Sequence, residues 1–380
     1  MSSRAEQLQA LGQSVWLDFI RRGHLASGEF ERLVREAGVV GVTSNPTIFQ
    51  QAIADSRDYD EAIAAGIARG LTGPALFDAL AVEDIRDACD RLAGVAARTG
   101  GVDGRVSIEV SPKLAHDTAG TVADARRLHA AVGRDNVMIK IPATREGLPA
   151  VSEVLASGIS VNVTLIFSVA RYREVLDAWA AGLERAAAAG VPLAGLHSVA
   201  SFFVSRVDTT VDRAIEAALA ALPAGDPRRA ELEAARGRAA VANARLAYAE
   251  FERFLAGPRW AALAQRGARL QRPLWASTGT KNPAYSDVLY VEQLIGPHTV
   301  NTMPPATLAA FNDHGRVAVT VRDDLAGARR LFERLPQLGV PLDRLLDELE
   351  AEGVAAFARS FDALLAALEE KRAALAGGTR

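Results

Sequence analysis

The stretch VMIKIPAT, residues 137–144, is an apolar run with several β-branched side chains and a single charged residue, Lys140. This composition predicts a buried strand that ends at Pro142. Burial disfavours the charged form of an ammonium group, and a neutral amine can attack a carbonyl carbon to form a Schiff base. The alternative is a lysine at a strand end whose side chain reaches solvent or pairs with a carboxylate. Taken alone, the stretch leaves both interpretations open.

Seven further stretches look like strands and alternate with helical patterns. They lie at residues 14–19, 38–45, 106–110, 159–167, 196–204, 273–277 and 299–303. Strands that alternate with helices form parallel sheets, and eight in one run favour a closed (β/α)8 TIM barrel over an open doubly wound sheet. The sequence has neither a G-x-G-x-x-G turn after the first strand nor a Walker-type loop, which weakens a nucleotide-binding alternative. We therefore predict the α/β class and the barrel.

Additional helices are predicted at both ends of the barrel and as an insertion. A short helix occupies residues 1–12, and a charged, alanine-rich excursion spans about 207–270. A helical tail begins at about 323 and is interrupted at 339–342. We expect residues 1–380 to form a single barrel domain that carries these helices.

Composition narrows the classes of partner. The 380 residues are 49% hydrophobic and have a formal net charge of -3 without a basic cluster, which argues against nucleic acid and for small soluble partners. No apolar run could span a bilayer and no apolar signal segment opens the chain, so we expect a cytoplasmic protein without a membrane partner. The one cysteine, Cys89, lies on an apolar helical face, which favours a core role over a nucleophilic one. Both a monomer and a homodimer are compatible with this composition.

Polar side chains alternate with apolar ones along two of the predicted strands. They are Ser107, Glu109 and Ser111 on one strand and Ser160, Asn162 and Thr164 on another. Alternate side chains share a face, and the outer face of a barrel must be apolar to pack on helices, so the polar sets should point inward. Lys140 falls on such a face. Near the carboxyl ends of their strands, where active sites of this fold gather, lie Asp18, Asn45 and Ser201.

Each of these residues also has a purely structural interpretation. Asp18 could occupy a turn or cap a helix, and an asparagine before a proline, as at Asn45, is a common turn or N-cap pair. Glu109 could simply form an ion pair with Lys140, and Asn162 could hydrogen-bond with Thr164. The convergence of so many polar positions on one end favours a site, because a structural core would leave many polar groups unpaired.

The six histidines show no metal-ligand spacing such as H-E-x-x-H, so we predict neither a metal nor a cofactor. His197 begins a strand and should lie at the end of the barrel opposite the site, where a structural role is favoured. Imine chemistry through a lysine needs no ion.

These strand segments resemble those of transaldolases, pentose-phosphate enzymes of the class I aldolase superfamily. In chain order the matching segments are WLDF from residue 16, TSNPTIF from 43, SIEVSP from 107, MIKIPAT from 138, NVTLIFS from 162, SFFVSR from 201 and LWASTGTKNPAY from 274. They extend from about residue 10 to the carboxyl tail and occur in order on successive predicted strands. The helical excursion and long tail are similar to those of the longer bacterial branch of the family.

The resemblance implies a reaction in the non-oxidative pentose phosphate pathway. Lys140 would form a Schiff base with sedoheptulose 7-phosphate or fructose 6-phosphate, and Asp18 would take the C4 hydroxyl proton as the carbon–carbon bond breaks. Glu109 would move protons through a water held with Thr164. The dihydroxyacetone unit would pass to an aldose phosphate, either glyceraldehyde 3-phosphate or erythrose 4-phosphate.

The resemblance also implies substrate contacts. Asn45 and Asn162 would hold the hydroxyls and the dihydroxyacetone moiety, with Ser201 beside them. Arg206 would bind the phosphate, because a guanidinium fork suits that group.

One loop departs from the family pattern. Shorter transaldolases carry an arginine shortly after the Ala-Ser pair of the seventh strand, whereas here Ser277 is followed by Thr278, Gly279, Thr280 and Lys281. We count Ser277 as a substrate-binding residue. Lys281 could replace the arginine as a point charge on the phosphate, or it could be a solvated loop lysine.

Two rival functions stand beside transfer. A fructose 6-phosphate aldolase would release dihydroxyacetone. Phe203, which we count among the substrate-binding residues, favours transfer, because the aldolases tend to have tyrosine at that position. A silent sugar-phosphate-binding barrel would have no need of a buried amine, which counts against it.

Overall fold

The computed structural model describes residues 3–377, and its centre is a closed barrel of eight parallel strands in sequence order. The strands are β1 Gln13–Leu17, β2 Gly41–Val42, β3 Arg105–Glu109, β4 Val137–Pro142, β5 Val161–Ile166, β6 Ser198–Phe203, β7 Gln271–Ala276 and β8 Thr299–Met303. β1 pairs with β8 over five residues, from Gln13 opposite Thr299 to Leu17 opposite Met303, which closes the barrel. The predicted (β/α)8 barrel is confirmed.

Helices surround the strands and extend beyond them. They are α1 Arg4–Ala10, α2 Arg22–Ala26, α3 Glu29–Glu36, α4 Pro46–Ala54, α5 Asp60–Ala68, α6 Gly73–Arg98, α7 Thr118–Val132, α8 Gly147–Ala156, α9 Val169–Ala188, α10 Ser205–Ala221, α11 Arg228–Ala235, α12 Ala239–Leu255, α13 Pro258–Gln265, α14 Leu289–Glu292, α15 Pro305–His314, α16 Leu325–Gln337 and α17 Leu342–Gly377. Two short 3-10 turns lie at Pro112–Leu114 and Leu193–Gly195.

The additional helices occur where the sequence predicts them, with different bounds. The leading helix is α1, which starts at Arg4 because the Ser3 side chain caps it in a box with Glu6; positions 1 and 2 lie outside the described residues. The excursion at about 207–270 consists of α10 to α13. The tail consists of α16 and α17, separated by the left-handed Gly339 with φ 91°.

The second strand is much shorter than the predicted 38–45. Only Gly41 and Val42 pair regularly, although the Thr43 N–H still donates to the Leu17 carbonyl at 2.9 Å. A Cβ at Gly41 would lie 2.6 Å from the Trp16 ring. Glycine is therefore required at this position, because the indole fills the space inside the barrel next to it.

Apolar packing encloses the barrel. The α8 and α9 helices pack closely against each other outside the β4 and β5 strands, and Cys89 on α6 is fully buried, as predicted. Burial raises the pKa of the Cys89 thiol to about 12. Across residues 3–377, no helix is both long and apolar enough to cross a bilayer.

The long carboxyl-terminal helix α17 crosses the end of the barrel where the strands terminate. Its first half is fixed by a salt bridge in which Arg171 Nε lies 2.8 Å from Glu350 Oε2. A hydrogen bond from Thr47 to Ser360 at 2.8 Å fixes its middle. The helix also packs against β5, α4 and the Pro112–Leu114 turn. The helix therefore covers the barrel mouth.

Candidate active site

Lys140 lies at the centre of a polar row that runs across three adjacent strands. In the parallel register Glu109 of β3 is opposite Lys140 of β4, and Lys140 is opposite Asn162 of β5. Paired residues on parallel strands point to the same face, so the three side chains share the interior. The predicted inward polar face is confirmed for this row.

The Lys140 side chain does not reach solvent. The residue is 4% exposed, and its Nζ donates to the Ser44 carbonyl at 3.2 Å. Glu109 Oε2 lies 3.5 Å from the same nitrogen, and the centre of the Phe357 ring lies 5.7 Å from it. The alternative of a solvent-reaching lysine is therefore wrong, whereas pairing with a carboxylate is correct and coexists with burial.

Glu109 has the properties of a proton carrier. Burial raises its pKa to about 7 against the opposing charge of Lys140, and the nearby Asp18 adds to the increase. Its Oε2 atom is buried and, among the described residues, has no hydrogen-bond partner. Thr164 Oγ1 on β5 is likewise buried and unpaired there. Thr164 Oγ1 is thus available to a substrate hydroxyl or a water molecule, and Glu109 Oε2 has only its ion pair with Lys140.

Asp18 follows the last residue of β1 and enters the same site. Burial raises its pKa, while the charge of Lys140, a hydrogen bond from Thr43 and the charge of Lys281 act in the opposite direction. Thr43 Oγ1 donates to Asp18 Oδ1 at 2.7 Å and also contacts Thr302 Oγ1 at 2.7 Å. The carboxylate is thus held in place at the end of its strand. The capping interpretation is wrong, because the next helix, α2, has Arg21 at its N-cap.

Asn45 has a structural function and also borders the site. Its Oδ1 accepts from the Ile48 N–H at 2.9 Å, so it caps α4, and Pro46 begins that helix. The residue also lines a cavity of about 280 Å³ together with Glu109 and Phe361. This cavity lies between α4, α6, α7, β3 and α17, and Lys140 is not among the described residues that line it.

Asn162 is fixed by neighbouring strands and not by Thr164. Its amide nitrogen donates to Ser107 Oγ at 3.0 Å, and its oxygen accepts from Ser201 Oγ at 2.7 Å. The interpretation as an Asn162–Thr164 pair is therefore wrong. Both asparagine and serine are almost fully buried, and they hold one orientation of the amide beside Lys140.

A cationic group lies at the β6 and β7 side of the mouth. Arg206, near the start of α10, is half-buried, and its guanidinium carbon lies 5.7 Å from the centre of the Phe203 ring. Burial lowers its pKa while Glu352 on α17 opposes that change. Within residues 3–377 its guanidinium donates no hydrogen bond, so all its donors are available to an anion.

Ser277 and Lys281 extend this cationic end along the loop after β7. Ser277 Oγ lies 2.9 Å from Ser205 Oγ, and its backbone adopts a left-handed φ of 56°. Such strain in a residue other than glycine is typical of functional sites. Lys281 is exposed, yet its charge acts on Asp18, which places it within electrostatic reach of the site.

Three contributors were missed by the sequence reasoning: Thr43, the Ser44 carbonyl and Phe357. Thr43 lies within the TSNPTIF segment, so its position next to Asn45 was an available signal. Phe357 and Phe361 are four apart on a tail helix, a spacing that indicates one helix face but not what that face covers. Within residues 3–377 there is no group of three or more histidines, cysteines or acidic residues that could hold a metal ion.

Comparison with known proteins assigns the family. The family model described as Transaldolase/Fructose-6-phosphate aldolase matches residues 15–368. A transaldolase 1 of Streptomyces coelicolor is 53% identical over 96% of this chain and 93% of its own length. Transaldolases of Frankia alni and Thermobifida fusca are each 50% identical over 98% of this chain, and the match covers 98% and 100% of their lengths. The chain therefore belongs to the transaldolase/fructose-6-phosphate aldolase family and is a transferase of the transaldolase kind.

Proposed function

We propose that the protein transfers a dihydroxyacetone unit from sedoheptulose 7-phosphate or fructose 6-phosphate to glyceraldehyde 3-phosphate or erythrose 4-phosphate. The observation that carries the proposal is the buried Lys140 amine, 3.5 Å from Glu109 and at the mouth of the barrel. These sugar phosphates place the reaction in the non-oxidative pentose phosphate pathway. The lone cysteine, which cannot form an internal disulfide, supports a reducing compartment such as the cytoplasm.

Covalent chemistry begins at the ketose C2 carbonyl. The Lys140 amine adds to C2 to give a carbinolamine, and loss of water gives the protonated imine. Asp18 then takes the proton of the C4 hydroxyl, the C3–C4 bond breaks, and its electron pair moves toward the imine. The aldose leaves and an enamine stays on Lys140. The enamine then attacks the acceptor aldehyde to form a new carbon–carbon bond, and Asp18 returns its proton to the new C4 oxygen. Hydrolysis of the imine releases the product ketose phosphate and restores Lys140.

Glu109 supplies the proton movements around the nitrogen. Loss of water from the carbinolamine needs a proton donor, and hydrolysis of the imine needs an acceptor. A carboxyl group whose pKa is raised to about 7 by burial can serve in both directions near neutral pH. The unpaired Thr164 hydroxyl supports the proposal that a water held with Glu109 carries these protons.

Substrate binding follows from the polarity of the mouth. The guanidinium of Arg206, which donates no hydrogen bond within residues 3–377, supports a phosphate contact. Ser277 would assist from its position against Ser205, the residue before Arg206, and Lys281 would add a further charge. Asn45, Asn162 and Ser201 would contact the hydroxyls at the reacting end. The Asn162 oxygen already accepts a hydrogen bond from Ser201, and one of its two amide N–H groups donates to Ser107. We propose that the second N–H of Asn162 faces the ligand.

Transfer is distinguished from simple aldol cleavage by the dependence on acceptor. Fructose 6-phosphate is supplied with and without erythrose 4-phosphate, and formation of glyceraldehyde 3-phosphate is followed by a coupled assay. We expect turnover that requires the acceptor, since Phe203 stands where the aldolases tend to have tyrosine. Turnover that is indifferent to the acceptor would identify a fructose 6-phosphate aldolase instead.

A further inference from the structure

A second polar cavity lies at the opposite end of the barrel, where the strands begin. It has a volume of about 160 Å³, and we call it the floor cavity. Its polar lining consists of Arg105, His197, Ser198, Arg269, Arg272 and His298, and Trp16 forms part of its apolar wall. Arg105 is the first residue of β3, and the two histidines directly precede β6 and β8. The cavity is many times larger than the roughly 10–15 Å³ that one water requires.

The floor cavity carries more positive charge than its surroundings compensate. No aspartate or glutamate is among the described residues that line it. Arg272 pairs with Asp103 at 3.1 Å, but Asp103 also accepts hydrogen bonds from Ser14 and Trp16. One buried carboxylate therefore serves the two buried guanidiniums of Arg105 and Arg272.

The remaining contacts of the arginines are with neutral groups. Arg105 donates to the carbonyls of Gly101 at 2.6 Å and Asp135 at 2.9 Å, and the Asp135 side chain itself is exposed. Arg269 is exposed, and its one hydrogen bond is long, 3.4 Å to the Ala194 carbonyl. Its guanidinium is thus available at the rim of the cavity.

His197 adds a neutral donor, and His298 lines the cavity beside it. His197 is 8% exposed, and its ring nitrogens have no hydrogen-bond partner among residues 3–377. Burial lowers its pKa to about 3, and the charges of Arg105, Arg269 and Arg272 act in the same direction. A neutral imidazole can donate one N–H to an anion. His298 adopts a left-handed φ of 59°, a strain that is more often found at functional than at structural positions.

We propose that the floor cavity binds a phosphoryl group, either as free phosphate or on a small phosphomonoester, with Arg105, Arg269 and His197 as its donors. A dianion would balance the excess charge of the three arginines over Asp103. Guanidinium forks match the paired oxygens of a phosphoryl group, and the space admits such a group. This site is separate from the catalytic mouth, because its residues lie at the amino ends of the strands.

The test follows the imidazole resonances of His197 and His298 by NMR during titration with inorganic phosphate, with chloride at matched ionic strength as the reference. Substitutions of His197 and His298 by glutamine assign the two signals. We expect saturable shifts with phosphate and not with chloride. A parallel titration with glycerol 3-phosphate compares a phosphomonoester with free phosphate. The one that binds more tightly identifies which of the two ligand classes the cavity prefers. Identical responses to phosphate and chloride would overturn the proposal.

Three variants locate the binding. Arg269→Ala should weaken the phosphate affinity at least about tenfold, because it removes a charged donor. Arg266→Ala removes the same charge from an exposed residue three positions away that does not line the cavity, and it should leave the affinity unchanged. Arg206→Ala should also leave the His197 shift unchanged, since it acts at the mouth. An unaltered affinity in Arg269→Ala, or loss of the shifts in Arg206→Ala, would contradict the floor site.

Discussion

Lys140 is buried in the barrel interior beside Glu109, where a charged side chain contributes little to the stability of the fold. A buried ion pair such as Lys140 with Glu109 seldom stabilises a fold more than apolar residues of similar size, because both charges lose their hydration. The geometry nevertheless retains the pair, with the lysine 4% exposed and bonded to a backbone carbonyl. The proposed Schiff-base role of Lys140 would account for the presence of this costly pair.

Replacement of the proposed nucleophile, Lys140, should abolish activity without unfolding the protein. Lys140→Ala should lower kcat by up to about 10⁶-fold, a loss of the size found when a covalent nucleophile is removed. The barrel should persist, because the raised pKa of Glu109 lets that carboxyl become protonated once its cation is gone. Activity assays and thermal unfolding check both statements. Lys371→Ala removes a lysine that pairs with Asp60 on α5 and has no role in the proposed chemistry, and it should retain activity. Unfolding of Lys140→Ala, with Lys371→Ala still folded, would contradict the account.

Glu109 should give the reaction a pH dependence close to neutrality. Below its pKa of about 7 the carboxyl is protonated and can donate the proton that loss of water from the carbinolamine needs, and above that value it is ionised and cannot. We therefore expect kcat/KM for the ketose to fall as the pH increases through about 7. In Glu109→Gln this pH dependence should disappear while the overall rate falls by about 10²- to 10⁴-fold. An unchanged inflection in the glutamine variant would show that another group titrates.

The α17 helix adds an aromatic cover to a site whose polar groups come mainly from the strands. It crosses the barrel mouth and places Phe357 5.7 Å from Lys140 Nζ, and it is fixed at both sides by contacts with α9 and α4. An aromatic cover excludes water, and exclusion of water protects a reactive imine or enamine from hydrolysis. In the proposed mechanism, this helix would favour transfer over release of the three-carbon unit.

Removal of the aromatic cover should change the fate of the intermediate. Phe357→Ala should raise release of dihydroxyacetone relative to transfer by about threefold to tenfold, which corresponds to roughly 1 kcal/mol. The ratio is measured as free dihydroxyacetone against sedoheptulose 7-phosphate formed. Phe361→Ala removes the same ring one turn along α17, where it packs on Phe77 with ring centres 5.6 Å apart. An equal change of ratio in both variants would assign the effect to helix packing and not to the cover.

For the whole molecule, periodic patterns predicted the architecture because each strand carries its own signal. The β4 strand and its inward lysine follow from the eight residues that contain them, and the alternation on β3 and β5 predicted the polar interior. Contacts between segments that are distant in the sequence could not be predicted from such local patterns. Phe357 reaches Lys140 from more than two hundred positions away, and the bonds of Asn162 to Ser107 and Ser201 depend on the register of three strands.

The barrel floor should also influence stability as the pH falls. His197 has a pKa of about 3 in the fold against an ordinary value of 6.5, so below pH 6.5 the unfolded chain binds a proton that the folded chain does not. Stability is therefore lost as the pH falls from 6.5 toward 3. Between pH 6.5 and 5 this one group should lower the free energy of unfolding by about 2 kcal/mol.

Denaturant unfolding in phosphate-free buffer at several pH values measures this loss. The His197→Gln variant should not show this loss of stability. The difference in unfolding free energy between the protein and the variant should therefore change between pH 6.5 and 5. His116→Gln, at an exposed histidine, serves as the comparison and should show a much smaller change. Parallel pH curves for the protein and His197→Gln would be inconsistent with a buried neutral imidazole.

The most direct test of the central claim is borohydride reduction in the presence of fructose 6-phosphate, followed by peptide mass mapping. We predict a reduced sugar adduct on the peptide that contains Lys140, and none on the peptide that contains Lys371. The adduct should be absent when borohydride or the sugar phosphate is left out. Its absence from the Lys140 peptide under complete conditions, in protein that retains activity before reduction, would contradict the Schiff-base mechanism.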